Sequence, residues 1–177
     1  NGEITLNIDG NSGRGREAIG IYSMSNVFNS YANSGSNVQL NTIGTININD
    51  SSTTSDIVLK GIEGRGNLLA NAYAEGNNKN TKTKAVGNIN ITTKSNKNGQ
   101  QDKIYGMYNG APVSQVSYIY NAAVINDNSS AEGKINITSE KYAVNEIYGI
   151  YASNDDNQTG DGTGTEKIIS NAYYSNE

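Results

Sequence analysis

Cysteine, histidine and tryptophan are absent from this 177-residue sequence, which also has a single proline, Pro112, and a single phenylalanine, Phe28. Without cysteine the chain can form neither a disulfide nor a thiolate metal site. Without histidine it lacks the commonest protein metal ligand and the usual general base. The absent residues therefore remove the most familiar routes to metal binding and to acid–base catalysis.

Positive charge is also scarce, since 13 Lys and Arg residues stand against 17 Asp and Glu residues and give a net charge of −4. A nucleic-acid-binding face needs an excess of basic residues, so no nucleic-acid partner is expected. No apolar run approaches the ~20 residues that a membrane-spanning helix needs, and no signal-peptide pattern is visible. Because the repeats described below are already under way at Asn1 and still continuing at Glu177, we expect a fragment of a longer chain.

Asparagine, glycine and tyrosine are abundant, with 29, 20 and 12 copies respectively. Asparagine and glycine favour turns, whereas tyrosine, isoleucine, valine and threonine favour strands. The composition therefore predicts many short strands joined by polar turns. Disorder is the competing interpretation, because low hydrophobicity and many polar residues also suit a disordered chain. The recurrence of apolar residues in register favours a folded chain.

The pattern Gly-x-Ile-x-Ile occurs at 44–48, 87–91 and 133–137, with a looser copy at 2–6. The leading glycines are 42, 43 and 46 residues apart, a period typical of repeat architectures. We therefore divide the chain into four repeats of one domain, at 2–43, 44–86, 87–132 and 133–177.

Two further strands are predicted in every repeat, and their residues align in columns. The middle strands are predicted at 18–22, 57–63, 104–108 and 147–151, and the last strands at 27–31, 68–73, 119–123 and 169–173. One column is glycine throughout, consisting of Gly20, Gly61, Gly106 and Gly149. Another is asparagine throughout, consisting of Asn29, Asn71, Asn121 and Asn171.

Columns of identical residues indicate that each strand lies about 4.8 Å from its counterpart in the next repeat. The aliphatic columns should then form the core, and the stacked asparagine amides should hydrogen bond to one another in a ladder. The sequence therefore predicts an all-β protein, a right-handed parallel β-helix of about four coils of three strands each, with protruding loops. The alternative is a four-bladed propeller or another antiparallel repeat. Blades usually need four strands, and only three are clear in each repeat.

Strand faces can be assigned only in part from alternation. The two isoleucines of Gly-x-Ile-x-Ile share one face, which should be the core. In Ile-Tyr-Gly-Ile-Tyr the aliphatic residues are three apart, so we expect a bend at the glycine. Lys60 stands where other repeats have Tyr105 or Tyr148, and we interpret that column as one that can tolerate solvent.

The candidate metal site is the stretch that contains Asp155, Asn157, Thr159, Asp161 and Glu166. Oxygen ligands at alternate positions, a glycine at the sixth position and a glutamate at the twelfth resemble a calcium-binding loop of the EF-hand type. A solvated acidic loop is the simpler interpretation, since the eighth position is not aliphatic and no helices flank the loop. The same residues resemble the extended bacterial signal for glycosylation, at Asn157. No other cofactor is expected.

Other candidate sites have plainer interpretations. Acidic residues are expected almost entirely in loops, with Glu63 the main exception, so no carboxylate pair for glycoside hydrolysis is predicted and we expect no enzymatic activity. Gly64-Arg65-Gly66 is interpreted as a turn. The tyrosines at matching positions either pack against one another or form an exposed strip that binds sugar or protein.

These repeat motifs resemble the passenger regions of bacterial autotransporters. The resemblance covers nearly the whole chain and rests on repeat style and composition. It implies a non-enzymatic adhesin-like segment, extracellular or at the bacterial outer surface, that acts as a stalk and binds a host protein, a glycan or a second copy. Membrane attachment would come only through a translocator domain outside this sequence. The alternative is a glycan-binding or glycan-cleaving β-helix of the lyase or tailspike type.

Overall fold

The computed structural model describes residues 1–9, 16–34, 39–52, 56–76, 82–94, 102–110, 117–125, 128–140, 144–152 and 167–175. Within these ranges the chain forms twelve strands and no helix. In chain order the strands are β1 (Gly2–Ile8), β2 (Glu17–Ser23), β3 (Val27–Ser34), β4 (Leu40–Asp50), β5 (Val58–Gly64), β6 (Leu68–Gly76), β7 (Thr83–Thr93), β8 (Lys103–Asn109), β9 (Ser117–Ile125), β10 (Ser130–Ser139), β11 (Glu146–Ala152) and β12 (Lys167–Ser175).

Every third strand joins the same sheet, so three successive strands make one coil. Sheet A contains β1, β4, β7 and β10, sheet B contains β2, β5, β8 and β11, and sheet C contains β3, β6, β9 and β12. All neighbouring strands are parallel. The predicted parallel β-helix of about four coils is confirmed, and the antiparallel alternative is wrong. The right-handed sense of the coil stays a prediction.

The register of the sheets matches the sequence columns. Gly44 pairs with Gly2 on one side and with Gly87 on the other, and Gly87 pairs in turn with Gly133. The aliphatic column of sheet C follows the same rule, with Val27, Leu69, Ile119 and Ile169 as successive partners. Each side chain therefore lies over its equivalent in the next coil.

The main core is aliphatic and lies between the three sheets. Ile46 and Ile89 enter it from sheet A, and both are fully buried. From sheet B it receives both Leu59 and Ile62, which are three residues apart. Gly61 lies between them, and the pairing of β5 with β2 and with β8 omits this glycine and its counterparts Gly20 and Gly106. The strand therefore bends at the glycine, as expected.

A second, thinner layer of buried side chains lies beside the main core, where sheets A and C pack directly on each other. The sheet A strands β4, β7 and β10 begin three or four residues before the repeat glycine, so they are longer than the pattern predicts. Small buried side chains fill this layer, namely Ala32, Ala72, Ala74 and Ala85. A hydrogen bond between Ser30 Oγ and Thr42 Oγ1, 2.8 Å apart, continues it in the first two coils.

Asparagines line the boundary between the main core and the thin layer. Asn29 Nδ2 donates to Asn71 Oδ1 at 2.9 Å, Asn71 Nδ2 to Asn121 Oδ1 at 2.9 Å, and Asn121 Nδ2 to Asn171 Oδ1 at 2.8 Å. Asn71 Nδ2 also donates to the carbonyl of Gly87 in sheet A, at 3.0 Å. We call this series the inner ladder. It ties coil to coil and sheet A to sheet C.

Candidate functional site

Tyrosines on the outer face of sheet B stack along the coil axis. The Tyr105 and Tyr148 rings are nearly parallel, with centroids 6.0 Å apart, and the Tyr108 and Tyr151 rings are 5.5 Å apart. Because these rings stack on their counterparts in the neighbouring coil, they contribute to packing between coils. Tyr148, on the last of these strands, is 43% exposed.

Lys60 interrupts the tyrosine column and is buried, with only 8% of its surface exposed. The column tolerates solvent at Tyr148, as expected, but Lys60, the residue that suggested this, is itself buried. Its Nζ lies 2.6 Å from Glu17 Oε1 and 2.7 Å from Glu63 Oε2, and 4.2 Å from the centre of the Tyr108 ring. Burial acts to lower the pKa of Lys60, but its hydrogen bonds to the two carboxylates outweigh burial and raise the pKa.

The expectation that acidic residues lie almost entirely in loops is also wrong. Glu17 and Glu63 lie on adjacent strands, β2 and β5, and both contact the same lysine. A third strand carboxylate, Glu146, lies 2.8 Å from Lys103 Nζ and accepts a hydrogen bond from Tyr105 Oη. The hydrogen bond from Lys103 holds the pKa of Glu146 below its ordinary value. Burial and the bond to this carboxylate raise the pKa of Tyr105.

The outer face of sheet C carries a second group of aromatic residues. Phe28 stacks on Tyr31 at 4.7 Å between centroids and meets Tyr73 edge to face at 5.4 Å. Tyr120 stacks on Tyr173 at 4.8 Å. Burial raises the pKa of Tyr120 to about 12. In both outer aromatic groups the rings thus pack against one another, although Tyr31 and Tyr148 remain 41% and 43% exposed.

The outer face of sheet A has a second asparagine series, which we call the outer ladder. Asn136 Nδ2 donates to Asn90 Oδ1 at 2.9 Å, Asn90 Nδ2 to Asn47 Oδ1 at 3.0 Å, and Asn47 Nδ2 to Glu3 Oε1 at 2.8 Å. Asn90 and Asn136 each begin an Asn-x-Thr triplet, so a glycan on either amide would break a ladder bond. The signal in the sequence was the asparagine between the two isoleucines of the repeat.

A polar groove lies where the turns between sheets B and C stack in the first coils. Its volume is about 580 Å³. Met24, Ser25, Asn26, Arg65, Gly66, Asn67 and Gly110 line it. Arg65 begins the short connection from β5 to β6, as the turn interpretation of its Gly-Arg-Gly context expects. The groove itself was not predicted, because its walls come from different coils.

The candidate calcium ligands Asp155, Asn157, Thr159, Asp161 and Glu166 lie outside the described residues, as does the glycosylation signal at Asn157. Within the described ranges, no group of three or more acidic side chains is arranged to hold a metal ion. In the same part of the chain, no helix is long and apolar enough to cross a membrane.

Comparison of the chain with family models, with curated proteins and with solved structures gives no significant match in any of the three. Any functional conclusion therefore depends on the fold and on the surfaces described above.

Proposed function

We propose that the chain is a non-enzymatic segment of a bacterial cell-surface protein, which acts as a stalk and presents a binding surface to host molecules, glycans or a second copy. The observation that carries this proposal is the contrast between the inside and the outside of the coil. Inside, the columns hold their register through all four coils. The connections from sheet B to sheet C, by contrast, differ in length from three residues, at 24–26, to 14 residues, at 153–166. A constant stack with variable connections suits a scaffold that presents loops.

The state of the strand carboxylates supports a non-enzymatic role. A glycosidase needs a carboxylic acid whose pKa is raised, so that it can protonate the leaving group. The pKa values of Glu146 and Glu132 are instead lowered, chiefly by hydrogen bonds from Lys103 and Lys134. Glu17 and Glu63 both form ion pairs with Lys60.

The test is to display the segment on a non-adherent bacterium through an unrelated outer-membrane anchor. We expect adhesion to host cells, or aggregation of the displaying bacteria, above the level given by the anchor alone. A matched display with Tyr22→Ser, Met24→Ser and Arg65→Gln keeps the core and should lower adhesion if the outer surface is responsible. Display at full level with neither adhesion nor aggregation would contradict the proposal.

The alternative function, a β-helix that binds or cleaves glycans, is favoured by one observation, the polar groove around Arg65. Incubating the purified protein with a panel of bacterial and plant polysaccharides, and assaying new reducing ends and unsaturated products, distinguishes cleavage from binding. Product formation that persists in the Glu63→Gln and Glu146→Gln variants would place a catalytic site elsewhere on the chain.

A further inference from the structure

We propose that the groove around Arg65 binds a saccharide that carries a carboxylate group, with Arg65 as the residue that recognises the acid. This inference rests on the proposed function, because it names the class of ligand that the binding surface would take. The groove has a volume of about 580 Å³, within the range of pockets that hold small ligands.

The backbone of the groove is fixed by bonds between coils. Arg65 N donates to Ser23 O at 3.0 Å, and Leu68 N donates to Asn26 Oδ1 at 3.0 Å. Tyr118 N donates to Asn67 O at 2.8 Å on the opposite side. Three coils therefore hold the turns in one arrangement, so little ordering is needed when a ligand binds.

Arg65 is the cation of the groove, and its side chain is 48% exposed. Its contact with a carboxylate is long, 3.9 Å from Nε to Glu63 Oε1, and the other oxygen of Glu63 lies 2.7 Å from Lys60 Nζ. The terminal nitrogens of the guanidinium are therefore available to an external ligand. A guanidinium can bind a carboxylate through two parallel hydrogen bonds, which a lysine ammonium cannot do.

The remaining lining suits the rest of a sugar ring. The Ser25 hydroxyl and the Asn67 amide provide donors and acceptors for sugar hydroxyl groups, and Asn26 keeps its Nδ2 donor while Oδ1 accepts from Leu68 N. Met24 is 63% exposed and offers an apolar surface beside them. The Tyr22 hydroxyl donates to Met24 Sδ at 2.9 Å. Polar groups together with an exposed apolar side chain suit a sugar ring, which presents both hydroxyl groups and apolar C–H bonds.

Charge and strand pairing argue against two other ligands. A single arginine beside Glu63, in a chain with a net charge of −4, suits a ligand with isolated negative charges and disfavours a polyanion. A peptide usually binds a sheet protein by adding a strand to a free edge. The strands that flank Arg65, β5 and β6, are paired along both edges.

The experiment is an NMR titration of the ¹⁵N-labelled protein with the methyl glycoside of galacturonic acid, which carries one carboxylate, and, separately, with the methyl ester of the same sugar, which lacks the charge. We expect the acid form to shift the amide signals of Asn26, Gly66 and Gly110, and the ester to bind about tenfold or more weakly. Arg65→Gln should lower affinity for the acid about tenfold or more, and Arg65→Lys should restore only part of it. Arg16→Gln, the same change at an exposed arginine outside the groove, should leave affinity unchanged.

Equal binding of acid and ester, no binding of either, or full affinity in Arg65→Gln would each overturn the inference. So would preferential binding of an acidic peptide at the same signals. The two experiments can fail separately. A titration without preference for the acid contradicts the groove while the stalk function stands, and sugar binding without adhesion contradicts only the proposed function.

Discussion

Asn71 and Gly87 lie in different sheets but touch through both side chain and backbone. The Asn71 amide donates to Gly87 O at 3.0 Å, and a Cβ atom on Gly87 would lie 2.1 Å from Asn71 O. The same contact recurs between Asn29 and Gly44 and between Asn121 and Gly133. The repeat glycine and the column asparagine are therefore two halves of one contact, which sets how closely sheets A and C approach.

The inner ladder should contribute more to stability than the outer one. Asn71→Ala removes a buried amide and leaves the Asn121 oxygen without its donor, so we expect the free energy of unfolding to fall by about 2–3 kcal/mol. Asn47→Ala, at the outer ladder, should cost less than about 1 kcal/mol because water can replace the lost bond. Urea denaturation followed by circular dichroism measures both. Equal losses would show that burial of the ladder is unimportant.

Two glycines of one column provide a matched steric test. A Cβ on Gly106 would lie 2.4 Å from Ile135 Cγ2 and 2.5 Å from Gly149 O, whereas a Cβ on Gly149 meets nothing within 4 Å. We expect Gly106→Ala to destabilise the protein by about 2 kcal/mol or more, because the core and the next strand must both shift. Gly149→Ala should change stability by less than about 0.5 kcal/mol. Thermal melts of the two variants compare them, and a tolerated Gly106→Ala would contradict the close approach of Ile135 and Gly149 to Gly106.

The buried ion network predicts strong coupling between Lys60 and Glu63. Lys60→Met leaves the buried Glu63 carboxylate without its close cation, so we expect a loss of about 3 kcal/mol. The double variant Lys60→Met/Glu63→Leu should recover most of that loss, since the buried carboxylate is removed and the remaining partner of Lys60, Glu17, is 48% exposed to water. Lys134→Met, which breaks the exposed pair with Glu132, should have little effect. A double variant as unstable as the single one would show that the loss comes from packing alone.

Stability should fall at alkaline pH because of buried hydroxyl and ammonium groups. Burial raises the pKa of Tyr120 from 10.0 to about 12. The stability that comes from its protonated form is therefore complete below pH 10 and is lost as the pH rises through about 12. The raised pKa of Lys60 acts in the same direction. We expect the melting temperature to fall over this range, and to fall less in Tyr120→Phe than in Tyr118→Phe, which removes an exposed hydroxyl on the same strand. Parallel falls in the two variants would refute the assignment.

The fold could be predicted because residues that pair between coils recur at equivalent positions of the sequence repeat. Val27 and Leu69 are far apart in the chain but adjacent in space, and the aliphatic character of the whole column follows from that contact. The thin layer between sheets A and C could not be predicted in the same way. Its alanines, serines and threonines resemble loop residues, and their burial depends on the close approach at the repeat glycines.

The ion pairs of Lys60 could not be predicted from the sequence alone. Lys60 suggests solvent exposure by its charge, but Ile19 and Tyr105 lie on either side of it and Glu17 comes from another coil. Pairing of this kind depends on which residues the coil brings together, and only charges in fixed columns would reveal it. The groove at Arg65 was hidden for the same reason.

The two asparagine ladders run in opposite senses. In the inner ladder each amide donates toward the last coil, from Asn29 to Asn71 and onward, whereas in the outer ladder Asn136 and Asn90 donate toward the first. Their amide dipoles oppose each other along the axis, unlike the aligned peptide dipoles of an α-helix. Each added coil would extend both series together, so lengthening the stack would not build up partial charge at its ends.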